Sequence, residues 1–298
     1  MLRSEIKKQL DLIKIPFKGE NDKKLYMHNF SSFLSCITPL PSNAKILSDF
    51  NNTDNITISQ LGPMAHGKLK ENAKYPETNF SFDDSEQDFS NEFMFVALNF
   101  SERLDAEKSH GAPWSNFHDK TKPANTYKLY LQINDSSFKG SYITDVLKDV
   151  VASNSNDIDR QFFLSNKKYS ILDNNIEKLA NKYIQLKKDK QYSFEYECDK
   201  VKYNQQRFND CAEIFVKECR ITRPKRLIVF GTKAEAALKK MLETTAFQND
   251  NYVTTLVNHL VEVEHYSKTG KLFPWLKTYP RKLLNETNKQ VVVNYKDF

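Results

Sequence analysis

The chain predicts an α/β fold, with a central four-stranded, mainly parallel sheet flanked by helices, and three observations carry that expectation. Phe93–Leu98 is a mostly apolar run that stops abruptly at Asn99 and Ser101, so it reads as a buried strand with a polar exit. Gly140–Asp145, Arg226–Gly231 and Val261–Ser267 have the same character. Helical patterns separate the later strands, and strand–helix–strand alternation argues a mainly parallel sheet. In open sheets of this kind ligands bind at the carboxyl ends of the strands. If those ends converge, Asn99, Asp145, His265 and Ser267 share one pocket, and an enzyme site is the leading reading.

Taken in order, residues 1–15 form a short amphipathic helix, with Leu2, Ile6, Leu10 and Ile13 at three- and four-residue steps. Residues 16–90 are rich in Asn, Ser and Asp and punctuated by Pro39, Pro41, Pro63 and Pro76. They read as helical and irregular covering structure, with a strand at Ile56–Leu61, so residues 1–90 make an N-terminal extension and 91–298 the α/β domain. A polar loop over 101–122 follows the first firm strand, then a helix from about Ala124 to Ile133. Val146–Val151 reads as a short helix after the Ile143 strand, and a further helix lies near 173–188. The helix over about 204–221 has a stripe of Phe208, Cys211, Ala212, Phe215, Val216 and Cys219, the 3.6-residue period, and Pro224 ends it. Thr232 is expected to cap the next helix, with Glu235 three residues on. The buried face of that helix is Ala234, Ala237, Leu238, Met241 and Leu242.

The 298 residues give ample length for a core, and 44 Lys and Arg against 38 Asp and Glu give a net charge of +6. That is mildly basic, and the local groups at Lys120 with Lys122, Arg223–Arg226, Lys239–Lys240 and Arg281–Lys282 read first as solvated faces. No apolar run approaches the roughly 20 residues that span a bilayer, and Met1–Lys8 lacks the apolar core of a secretion signal. A cytoplasmic monomer is the expectation. Cys36, Cys198, Cys211 and Cys219 show no C-x-x-C spacing, so neither a disulfide nor a metal cluster is expected.

Gly62–Leu69 nearly matches a phosphate-binding loop, but Leu69 replaces the hydroxyl residue and Pro63 removes a backbone donor, so chance accounts for it. No G-x-G-x-x-G occurs, and no cofactor is expected. His110 and His118 have no cysteine pair to complete a zinc site. Between them, Trp114 or Phe117 could stack on a planar ring or simply pack an ordered loop.

Together the strand ends resemble the uracil-DNA glycosylase superfamily, above all its mismatch-specific and single-strand-selective branches. Ala97-Leu-Asn-Phe-Ser101 resembles the family's Gly-x-Asn-Pro-Gly/Ser, and Pro123-Ala-Asn-Thr126 its Pro-Ala-Asn-Arg-like helix start. Tyr142-Ile-Thr-Asp-Val-Leu-Lys148 resembles Tyr-Ile-Thr-Asn-Val-Val-Lys, and Arg223–Gly231 resembles Arg-Pro-Lys-x-Ile-Val-x-Leu-Gly. His265-Tyr-Ser267 stands where the family has His-Pro-Ser. The matches are collinear over residues 92–285.

The resemblance implies cleavage of the N-glycosidic bond of a base flipped out of DNA. It implies that Asn99 holds the attacking water and His265 stabilises charge on the departing base. Ser101, Ser267, Lys268 and Lys271 would contact phosphate, and Leu272 or Phe273 would wedge into the emptied stack. Asp145, Trp114, Phe117 and Tyr142 would surround the base. Three departures bear on this: Phe100 and Tyr266 replace prolines, and Asp145 replaces an asparagine. An ionised carboxylate only accepts, so Asp145 would repel uracil O4 and suit a 4-amino group. A C5-modified cytosine, as in some viral genomes, is then a safer target than plain cytosine, which would make the protein a defence enzyme. A uracil repair enzyme, a catalytically weak DNA- or damage-binding module on the same fold, and a mononucleotide-binding enzyme remain alternatives.

Overall fold

A computed structural model describes residues 2–17, 24–34, 89–99, 114, 116–117, 136–148, 150, 154–186, 193–263 and 289–298. Its centre is a five-stranded sheet. The strands are β1 (Ser31–Phe33), β2 (Phe93–Asn99), β3 (Tyr142–Leu147), β4 (Arg226–Phe230) and β5 (Val261–Val263), in the order β1-β3-β2-β4-β5. The four strands expected from sequence are parallel to one another, and β1 adds an antiparallel edge through Ser31↔Thr144 and Phe33↔Tyr142. Ser31–Phe33 lies in the segment expected to be covering structure. Three residues with two serines are too short and too polar to announce a strand, and pairing with β3 is what holds them extended.

The helices are α1 (Arg3–Asp11), α2 (Ser155–Phe162), α3 (Ile176–Leu186), α4 (Phe194–Thr222), α5 (Thr232–Met241), α6 (Thr245–Gln248) and α7 (Asn251–Asn258). α4 is the long spine of the helical layer, and begins ten residues before its apolar stripe predicts. Ser193 Oγ accepts from Tyr196 N at 3.2 Å, with Glu195 and Glu197 in the first turn where the helix dipole favours acids. Arg223 ends it in the left-handed region at φ 48°, ahead of Pro224. The stripe residues Phe208, Cys211, Ala212, Phe215, Val216 and Cys219 are all buried. α5 differs from expectation at its start. Gly231, at φ 89°, is the capping residue and Thr232 is already helical, with no side-chain bond capping the end.

The even-numbered residues of β2 and β3 face this helical layer. Met94, Val96 and Leu98 join Tyr142 and Val146 in one core with Leu227 and Val229 of β4 and the buried faces of α1 to α7. On the opposite face Phe138 meets Phe93 and Phe95 edge-on at 5.0 and 5.4 Å, and Phe95 stacks on Phe230 at 5.8 Å. β3 extends to Leu147, which pairs with Asn99, so Val146 and Leu147 belong to the strand and not to the short helix expected there. Both are fully buried apolar residues that the ladder continues through.

The strand order has a functional consequence. The chain steps from β2 to β3 in one direction, then crosses back over β2 to reach β4 and β5. The winding therefore reverses between β2 and β4, and in open α/β sheets the ligand crevice lies outside the carboxyl ends at that point. The residue at the end of β2 is Asn99.

The expected strand at Ile56–Leu61, the helix at Ala124–Ile133 and the near-match at Gly62–Leu69 lie outside the described residues. Among the described residues no helix is long and apolar enough to cross a membrane.

Candidate functional site

Asn99 and Asp145 come from neighbouring parallel strands. Ala97 sits beside Asp145 and Asn99 beside Leu147, so strand alternation directs Asn99 and Asp145 to the same face of the sheet, opposite the helical layer. Their Cα atoms are roughly 8 Å apart by strand geometry. Asn99 Nδ2 donates to the Val150 carbonyl at 2.9 Å, which orients the amide across the end of β3.

Asp145 is not at a strand exit, as the sequence suggests, but two residues inside β3, and is 1 % exposed. Its Oδ2 accepts from Asn116 Nδ2 at 3.1 Å, while Oδ1 has no hydrogen-bond partner among the described residues. Burial raises the carboxyl to about 7, against lowering by the Asn116 hydrogen bond and the Lys148 charge. At neutral pH both protonation states are populated. A neutral acid can donate and accept, so the carboxylate-only specificity expected from sequence holds only above that value.

Behind Asp145, on the helical face, lies a closed polar network. Glu218 Oε1 accepts from Tyr142 Oη at 2.7 Å and from Thr144 Oγ1 at 2.6 Å. Its Oε2 lies 2.8 Å from Lys148 Nζ, an ion pair whose angle falls outside hydrogen-bond geometry. Lys148 Nζ also donates to Thr144 Oγ1 at 3.1 Å and to the Asp145 main-chain carbonyl. Lys148 and Glu218 are both 0 % exposed. Such a pair is weak evidence for stability, but removing one partner strands the other charge and costs about 3–5 kcal/mol. Burial, with Glu218 beside it, pushes the Tyr142 hydroxyl well above its ordinary range and keeps it protonated.

Tyr142 therefore does not line the same space as Asp145. Its hydroxyl is spent on Glu218 on the other face of the sheet, because positions 142 and 145 have opposite parity in one strand. Trp114 is 6 % exposed, its ring 5.5 Å from Phe33 and 6.2 Å from His28, with Lys7 Nζ 5.5 Å away over it. That is the packing role, not an open platform. Its backbone is tied at both ends, since Trp114 N donates to His28 O at 3.1 Å and Ser32 Oγ donates to Trp114 O at 2.5 Å. Phe117 is half-buried, next to Asn116 and hence near Asp145. Trp114 and Phe117 have φ of 67° and 71°, a left-handed conformation that is uncommon for bulky side chains. Ser101, His265, Ser267, Lys268, Lys271, Leu272 and Phe273 lie outside the described residues.

Sequence reading missed Asn116, Lys148 and Glu218. The signal for Glu218 was present: an acid at the position between Phe215 and Thr222 on the buried face of a helix demands a buried cation or donors. Lys148 shares the parity of Tyr142 and Thr144, which aims it at the same helix. Among the described residues Cys211 and Cys219 are buried thiols held protonated, because burial pushes Cys211 up to about 12 and Cys219 well above its ordinary value. Among the described residues no group of His, Cys, Asp and Glu could hold a metal ion. No family model, curated protein or solved structure matches this chain.

Proposed function

We propose that the chain is a DNA glycosylase that hydrolyses the N-glycosidic bond of a flipped base, with a modified cytosine as the target in preference to uracil. The observation that carries this reading is the pairing of Asn99 with a buried Asp145 on one face of the sheet, with Asn99 at the end of a strand that borders the reversal of the winding. Asn99, its amide nitrogen held by Val150, would use its oxygen to hold water near C1′. An amide is a weak base, so the base departs first and the sugar carries cationic character when water adds. His265 would stabilise the negative charge forming on the departing base.

Asp145 would read the Watson–Crick edge. In its neutral form, one oxygen donates and the other accepts, which suits the N3–H and O4 of uracil or the N3 and 4-amino group of cytosine. When ionised it opposes O4 and favours the amino group. Ser101, Ser267, Lys268 and Lys271 would hold the phosphates, and the protein would act as a cytoplasmic monomer without a cofactor. The test is base release from DNA by the wild type and Asn99→Ala. Release that falls steeply in Asn99→Ala supports the reading. DNA binding with no release from any substrate returns the protein to a binding module.

A further inference from the structure

We propose that Lys148 and Glu218, on the far side of the sheet from the candidate site, are positioning residues that set the charge state and orientation of Asp145. The inference rests on the reading of Asp145 given above for its functional meaning, but not for its test. The geometry is specific. Lys148 reaches back three residues to the Asp145 carbonyl and four to the Thr144 hydroxyl, and Glu218 holds Lys148 and the same hydroxyl. The peptide that follows Asp145 and the side chain that precedes it are thus held from the helical layer, while the Asp145 carboxyl projects to the opposite face. Cys211 Sγ lies 3.6 Å from the Lys148 carbonyl, so α4 supports the turn that carries Lys148 as well as supplying Glu218.

Among the described residues few groups face Asp145: Asn116 contacts its carboxyl from the 114–117 segment, β2 presents uncharged Ala97, and the charges acting on it are Lys148, which favours the ionised form, and Glu218, which opposes it. A fully buried pair acts through a medium that screens poorly. The two halves of the pair therefore push Asp145 in opposite senses, and the ammonium, held at the Asp145 carbonyl itself, prevails.

The experiment is a pH titration of the Asp145 carboxyl carbon by NMR in the full chain, assigned by its loss in Asp145→Asn. Glu218→Gln leaves Lys148 uncompensated and should lower the midpoint by roughly one pH unit. Lys148→Met should raise it. Lys148→Met combined with Glu218→Gln should fall between wild type and Lys148→Met. The double variant leaves no buried charge alone, so it is the variant to use if a single change prevents folding, and it must still titrate above wild type. Midpoints that agree with wild type, or that move in the same direction in both single variants, overturn the proposal. Base release is recorded on the same proteins. Shifted midpoints without any release leave this inference standing and sink the glycosylase reading. Release whose pH profile ignores the shifted midpoints removes Asp145 from the chemistry.

Discussion

Asn116 Nδ2 lies 3.1 Å from Asp145 Oδ2 and 2.8 Å from the Phe30 carbonyl oxygen. One amide nitrogen thus links the approach to the edge strand with the buried carboxyl. Because that hydrogen bond favours the ionised acid, Asn116→Ala should move Asp145 further above about 7. It should also cost about 1–3 kcal/mol, since two buried acceptors lose a donor. Carboxyl titration and chemical denaturation measure the two effects, and an unchanged midpoint would mean the contact is absent in solution.

The raised carboxyl makes stability depend on pH with a definite sign. The folded protein holds the Asp145 proton up to about 7, the unfolded chain only to 3.8, so the contribution is full below 3.8 and is lost as pH rises through 7. That difference corresponds to roughly 4 kcal/mol. Asp145→Asn does not titrate, so its stability relative to wild type should increase between pH 4 and 7 and level off above. Parallel stability–pH curves for the two proteins would contradict this.

Tyr142→Phe should separate fold from function. It removes one donor from Glu218, which keeps Thr144 and Lys148, so a loss of about 1.5–3 kcal/mol is expected. Base preference should not change, because the ring belongs to the helical face. A changed ratio of uracil to cytosine-type release would return Tyr142 to the base pocket.

The parallel strands were legible because each is an apolar run with a polar exit, and α4 because its stripe repeats at 3.6 residues. β1 was not legible, since Ser31–Phe33 becomes a strand only by pairing with β3. The pairing of Asn99 with Asp145 could be anticipated from strand ends, but their shared face depends on the register Ala97↔Asp145, which no local pattern encodes. The exclusion of Tyr142 follows from the opposite parity of positions 142 and 145 in one strand, which side-chain alternation already implies. Burial of Asp145, which decides its protonation, is a property of the assembled sheet and not of the strand.

Phe117 combines a left-handed backbone with a half-buried ring beside Asn116. Phe117→Gly removes a conformational cost of about 1–2 kcal/mol, which offsets the lost packing. Stability should change little, while base release should fall if the ring stacks on the substrate, an interaction worth roughly 1–3 kcal/mol. Thermal denaturation beside release kinetics decides it, and full activity in the glycine variant would leave Phe117 a packing residue.

The most direct test of the glycosylase reading is base release from matched DNAs carrying uracil, cytosine or C5-modified cytosine, at pH 6 and pH 8, by wild type, Asn99→Ala and Asp145→Asn. Wild type should release the modified cytosine best, and any uracil release should drop from pH 6 to pH 8 as Asp145 ionises through about 7. Asp145→Asn should shift preference toward uracil and lose that pH dependence, while Asn99→Ala should slow every substrate alike. No release from any of the three DNAs, or release untouched by Asn99→Ala, would contradict the account.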